Sequence, residues 1–183
     1  MNLKKYKHAP AHLFLDDHYY FFTGAVYKKR QYLESLQAKD IFKNYLFRFH
    51  EKFDWMIKEW SILDNHYHFL SKVAEGNEIS RMINTLHKTS AYHIKRSLKI
   101  QIEPFWYQYW DRCIRNDEDY HKTAFYILYN PIKHGLVESI EGYPYSSYCE
   151  RPKEIGEAFG IRLERYERYD KKDFKEFDEL DDF

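Results

Sequence analysis

The triplet His66-Tyr67-His68 is where the residue types of this chain first combine into chemistry. It stands in Leu63-Asp64-Asn65-His66-Tyr67-His68-Phe69-Leu70. On a β-strand, successive side chains alternate between the two faces. Both imidazoles therefore point one way and Tyr67 points into a core. Two imidazoles on one sheet face form half of a metal site. Further along, Tyr126 and Asn130 are spaced to share one face of a helix. If that face lies over the histidine strand, two imidazoles and an amide oxygen converge beside a phenol. Such a set suits cutting a phosphodiester. A divalent cation polarises a non-bridging phosphate oxygen and stabilises the charge built up during attack. A free phenol has a pKa of about 10 and is a weak nucleophile at neutral pH. A nearby cation or base must help it ionise. Attack gives a phosphotyrosine and a freed DNA end, and the exchange of one phosphoester for another lets rejoining proceed without ATP.

Plainer readings stand beside this one. With 10 histidines and 18 tyrosines, neither spacing is rare by chance. Tyr126 alone reads as a packed amphipathic residue. Asn130, before Pro131, reads as a helix C-cap. The cations Lys88, Lys95, Arg96 and Lys99 read as a solvated helix face. No single element carries the argument.

The elements must bring these groups together. Tyr19 to Tyr27, aromatic and β-branched, reads as a strand, followed by a basic connection from Lys28 to Tyr32. Asp40 to Phe53 has helical spacing at Ile41, Tyr45, Leu46 and Phe49. Trp55 to Leu63 reads as a second strand, Asp64-Asn65 as a turn, and His66 to Val73 as a third strand returning antiparallel. Gly76-Asn77 breaks the pattern. Ile79 to Leu98 reads as a long amphipathic helix with inward positions Ile79, Met82, Ile83, Leu86, Tyr92 and Ile94. Pro104 to Trp110 is an aromatic loop or edge strand. Asp117 to Tyr129 is a further helix, with Asp117, Glu118 and Asp119 in the first turn where its dipole favours acids. Pro131 places its end near Asn130. Gly142 to Tyr148 is a Tyr- and Ser-rich loop.

Composition sets the outer bounds. The 183 residues suggest one domain with a tail, and 44% hydrophobic content suggests a globular one. Aromatics at 20% can serve the core, base stacking, or both. Cys113 and Cys149 are too far apart for a C-x-x-C motif and read as reduced thiols of a cytoplasmic protein. There is no apolar signal core in Met1 to Pro10 and no run of membrane-spanning length, so no membrane partner is expected. Net charge is zero, whereas nucleic-acid-binding domains usually show a basic excess. The charge nonetheless follows a gradient along the chain. His87 to Lys99 carries cations and no acid, while acids dominate from Glu164 onward. Residues 1–150 are thus expected to form the domain and 151–183 a charged, acidic extension.

Taken in order, these blocks resemble the single-tyrosine HUH transposases, in particular their REP-associated tyrosine transposase branch. The His-hydrophobic-His strand is His66-Tyr67-His68. The basic helix is Ile79 to Leu98. The aromatic stretch leading to Arg-Asn is Phe105 to Asn116. The tyrosine helix ends in Asn130-Pro131-Ile132-Lys133-His134-Gly135, and Pro144-Tyr145-Ser146-Ser147 matches the loop that follows. The match covers Tyr19 to Tyr148 with the expected spacing.

The resemblance implies an α+β fold with a ferredoxin-like antiparallel sheet, helices packed on it, and the histidine motif on a central strand. It implies Tyr126 as nucleophile, and His66, His68 and Asn130 as ligands of a divalent metal, Mg2+ or Mn2+. It implies a transposase that cleaves and rejoins single-stranded or hairpin DNA at palindromic repeats. The enzyme would pass through a 5′-phosphotyrosine with a free 3′-OH, as a monomer or homodimer. Lys88, Lys95, Arg96, Arg112 and Arg115 are the expected phosphate contacts, and Trp106 or Tyr109 the expected base-stacking platforms. Two departures stand out: Asp64 replaces the usual proline of the turn, and the net positive charge is missing. The alternatives are a retired transposase that binds hairpins without cutting, a nuclease that uses water, and an aromatic domain with a chance histidine pair.

Overall fold

Strand alternation decides which side chains reach which layer. The computed structural model describes residues 15–150 together with Phe174 and Phe177. Its strands are β1 (His18–Val26), β2 (Met56–Ile62), β3 (His66–Val73) and β4 (Trp106–Cys113), and its helices are α1 (Leu36–Lys52), α2 (Ile79–Leu98) and α3 (Asp117–Lys133). The strands pair antiparallel in the order β2-β3-β1-β4. This is the ferredoxin-like arrangement, and β3, the histidine strand, is internal.

Tyr67, Phe69 and Val73 of β3 point to the side covered by α1 and α2. There they join Phe22, Phe42, Leu46, Met82, Ile83 and Leu86 in the larger core. His66, His68 and Leu70 point to the other side. On that side Phe21 and Leu70 meet the α3 residues Ala124 to Leu128, and Phe174 and Phe177 pack into the same cluster. These two residues of the expected extension therefore belong to the domain's second core; the remainder of 151–183 lies outside the described residues. Gly24 of β1 sits opposite Tyr67. A Cβ there would lie 2.6 Å from the Tyr67 hydroxyl, so only glycine lets the ring pass beneath β1.

Several elements depart from expectation for identifiable reasons. Helix α1 begins at Leu36, because its inward stripe already includes Ala38 and Lys39. Lys39 is 4% exposed and pairs with Asp64, so a residue that reads as polar serves an inner face. Tyr92 of α2 is 57% exposed. Ser90 takes the inward place instead, donating to the Leu86 carbonyl and accepting from Trp106 Nε1. Trp106 is buried and stacked on His87 at 4.7 Å, which removes it as a base-stacking platform. Tyr109 is half-buried and donates to Ser80.

Helix α3 does not end at Asn130 but runs through Pro131 to Lys133. A proline in the last turn forfeits one backbone bond, and the turn closes around it: His134 N–H donates to Asn130 O, and Leu136 N–H to Pro131 O. Gly135, at φ 68°, makes the reversal. Asn130 is thus an inward-facing helix residue and His134 is the C-cap. At the other end Asn116 caps α3, its side chain accepting from Asp119 N–H.

Candidate active site

The hairpin between β2 and β3 delivers His66 and His68 to the α3 side of the sheet with ring centroids 4.9 Å apart. Helix α3 crosses that face. The Tyr126 ring lies 5.5 Å from His68, and Asn130 Oδ1 is 3.2 Å from His66 Nε2. All four expected groups therefore meet. They are also dry: His68 and Asn130 are fully buried, and Tyr126 is 2% exposed.

Burial pushes the His68 imidazole well below its ordinary pKa. The positive charges of Lys133 and His134 act the same way, and a hydrogen bond with Asn130 opposes them. His68 is accordingly neutral at physiological pH, as a metal ligand must be.

Lys133 and His134 are site residues that the sequence reading left unassigned. Lys133 Nζ donates to the Tyr126 hydroxyl at 3.2 Å and lies 5.1 Å from the ring centroid. An ammonium at that distance stabilises a phenolate oxygen. The His134 ring is 4.9 Å from that of His66. Both continue the helical stripe begun by Tyr126 and Asn130, so the spacing carried a signal. A second surprise carried none. Phe177 stacks on the Tyr126 ring at 4.6 Å, and Phe174 lies 5.7 Å from it.

The donor set fits a divalent cation. Ligands bound at about 2.1 Å around one ion sit about 3 Å from each other, close to the His66 Nε2 to Asn130 Oδ1 separation. Among the described residues, no trio of His, Cys, Asp and Glu is close enough to hold a metal. The third donor here is an amide.

The five expected phosphate contacts do not gather at this site. Lys88, Lys95 and Arg96 lie on α2, across the sheet from Tyr126. Lys88 and Arg96 are exposed, while Lys95 pairs with Glu103. A groove between α1 and α2 sets Arg96 and His93 beside Arg48 and Asn44; Arg48 is a cation the sequence reading did not single out. Arg112, 12% exposed, binds both Asp119 oxygens from Nη1 and Thr123 from Nη2. Arg115 shares Asp119 with its side chain 67% exposed. Burial would raise the Asp119 carboxyl, but the bonds from Arg112 and from Arg115 N–H prevail and hold it below its usual range. Arg112 is thus engaged in joining β4 to α3.

Sheet order, an internal His-x-His strand and a facing tyrosine helix define a ferredoxin-like domain of the HUH type. Residues 15–127 match the family described as Transposase IS200 like, and the chain belongs to that family. The matched span includes His66, His68 and Tyr126 and ends before Asn130.

A Haemophilus influenzae protein assigned as a REP-associated tyrosine transposase is 31% identical over 97 residues, which is 48% of this chain and 55%, about half, of that relative's length. The REP-associated tyrosine transposase of Escherichia coli K12 is 26% identical over 130 residues, covering 70% of this chain and 75% of that protein. Over these spans the chain is similar to transposases of the REP-associated tyrosine type. A solved structure of a REP-associated tyrosine transposase bound to a REP hairpin has the same fold, with a TM-score of 0.66 at 22% identity over 81% of this chain and 84% of that one. Among the described residues, no helix is long and apolar enough to cross a membrane.

Proposed function

We propose that the chain is an active single-stranded DNA strand transferase that cuts and rejoins at hairpin-forming or palindromic repeats, with Tyr126 as nucleophile. The observation that carries this reading is the convergence of Tyr126, His66, His68 and Asn130 from two distant segments onto one face of the sheet. The Tyr126 oxygen attacks phosphorus, an O–P bond forms, and the P–O3′ bond breaks. The 5′ phosphate stays on the tyrosine and the 3′ oxygen takes up a proton. The phenol proton leaves to water, and Lys133, already donating to that oxygen, stabilises the anion.

His66, His68 and Asn130 would hold the divalent ion, which would supply Lewis-acid polarisation of the phosphate. Two imidazoles among the three protein ligands favour Mn2+ over Mg2+, whose preferred ligands are oxygens. Arg48, Lys88 and Arg96 offer phosphate contacts on the α1 and α2 side, and Arg115 offers one near α3. A hairpin partner is consistent with the hairpin-bound relative.

One observation favours the second reading, a hairpin binder that no longer cuts. Phe174 and Phe177 cover the Tyr126 ring, so they must leave before DNA can reach it. The test is a labelled hairpin oligonucleotide with a single-stranded flank and Mn2+, run on a denaturing protein gel. A covalent adduct from wild type and none from Tyr126→Phe is the expected result. A gel shift with no adduct supports the binder, and cleavage by Tyr126→Phe supports a nuclease that uses water.

A further inference from the structure

The turn ahead of the histidine strand is tightly held. Val26 N–H donates to Asn65 O, Leu33 N–H to Asp64 O, and Leu63 N–H to His66 O. Within it, Asn65 Nδ2 donates to the Lys29 carbonyl at 3.2 Å. A carbonyl only accepts, so the amide nitrogen must face Lys29 and the amide oxygen must face the other way. That oxygen lies 2.6 Å from His66 Nδ1. An amide oxygen is itself only an acceptor, so Nδ1 carries the proton. A metal-binding imidazole must be neutral and so has a single N–H; with that proton on Nδ1, the Nε2 lone pair is the donor, and it faces Asn130 Oδ1 3.2 Å away. Two Lewis bases facing each other at that spacing are placed as neighbouring ligands of one ion.

We propose that Asn65 is a positioning residue: it fixes His66 in the Nδ1–H tautomer and so presents Nε2 to the metal. This rests on the reading that the site holds a divalent cation. The Lys29 carbonyl is the outermost member of the chain. It orients the amide, the amide orients the ring, and the ring orients the donor. Outer partners of this kind typically alter metal affinity by about 10–100-fold when removed.

The test separates Asn65 from the metal. Two-bond 1H–15N NMR of the metal-free, 15N-labelled full chain distinguishes the two imidazole nitrogens, and the His66 signals are those missing from His66→Gln. Wild type is expected to show the proton on Nδ1, and Asn65→Ala is expected to lose that preference. Manganese affinity, read by electron paramagnetic resonance, is expected to fall about 10–100-fold in Asn65→Ala. Asn65→Asp loses the bond to the Lys29 carbonyl but still offers His66 Nδ1 a carboxylate acceptor, and is expected to stay within about threefold of wild type. Metal-free hairpin binding should not change in either variant.

A His66 proton on Nε2 in wild type overturns the proposal, as does an Asn65→Ala protein with unaltered tautomer and manganese affinity. If Asn65→Ala does not fold, the wild-type spectrum and Asn65→Asp decide the matter. Wild type that binds no manganese, yet shows the Nδ1–H form dependent on Asn65, sinks the metal reading and leaves the tautomer assignment standing.

Discussion

Tyr67 and His68 are adjacent in sequence and face opposite layers. Tyr67 packs with Phe42, Phe69 and Trp106 under α1 and α2. Its hydroxyl is hydrogen-bonded to His87 Nε2, at 2.8 Å. His50 in the same layer is held between the Leu46 carbonyl at 2.7 Å and Ser71 Oγ at 2.6 Å. The polar groups of His50, Tyr67, Ser71 and His87 on this side are tied into the packing. His68 faces a layer where a second imidazole, an amide, a phenol and a lysine crowd together beneath α3. Burying polar groups costs stability unless they are hydrogen-bonded, and proteins tolerate that cost mainly at functional sites. The sheet thus keeps its packing on one side and its chemistry on the other, and substitutions on the two sides should fail in different ways.

The largest expected difference is catalytic. Tyr126→Phe removes one oxygen from the α3 side and should abolish the covalent adduct, at least about a thousandfold. Thermal stability should move little, because the ring and its contacts with His68 and Phe177 remain. Adduct formation by Tyr126→Phe, measured on the hairpin substrate, would mean the nucleophile lies elsewhere.

The next effect belongs to the packed side and appears in acid. Burial pushes His50 down to about 4, and His87 down to about 3. The unfolded chain takes up these protons near 6.5, whereas the native state refuses them until much lower pH. Stability is therefore intact above about 6.5 and falls as pH drops toward 4, by about 3 kcal/mol for His50 alone. His50→Gln keeps a partner for Ser71 and cannot titrate. Urea unfolding between pH 7 and 4 should show it losing about 3 kcal/mol less than wild type over that interval. Equal acid slopes for the two proteins would contradict a neutral buried His50.

Legibility in the sequence follows the same division. Hydrophobic periodicity placed β3 and α2 at their observed bounds; the His-x-His and Tyr-x-x-x-Asn spacings put each pair on one face, and the crossing of α3 over the sheet makes the two faces meet. Periodicity failed where a polar residue faces inward, as Lys39 does opposite Asp64, and where an aromatic faces outward, as Tyr92 does. The proline rule failed at Pro131 because a last-turn proline loses only one bond. Lys133 and His134 could have been found by extending the helical stripe one more turn. Phe174 and Phe177 could not, since no local pattern says which face a distant segment will cover. Nor do cations clustered in sequence reveal that they lie across the sheet from the phenol, or that Arg112 is already engaged with Asp119.

A smaller effect probes the close approach of β1 to Tyr67. Gly24→Ala puts a methyl 2.6 Å from the Tyr67 hydroxyl and 2.7 Å from its ring carbons. Something must shift, and overpacking of this kind costs about 1–3 kcal/mol. The damage should register as a lower urea midpoint, with manganese affinity held to within about twofold because His66 and His68 face the opposite layer. A loss of metal affinity as large as that of Asn65→Ala would show that the two layers are mechanically coupled through β3.

The smallest effect is the most discriminating. Tyr67→Phe deletes the hydroxyl bonded to His87 and should cost about 1 kcal/mol, with adduct formation unchanged. It also removes the nearest of the atoms that a Gly24 methyl would strike. In the Tyr67→Phe background, Gly24→Ala should therefore cost less than it does alone, though not zero, because the ring carbons at 2.7 Å remain. A double-mutant cycle by urea unfolding gives that coupling directly. Strict additivity would mean that the methyl is accommodated by movement of β1 rather than resisted by the ring, and that the packed layer is looser than its stacked aromatics imply.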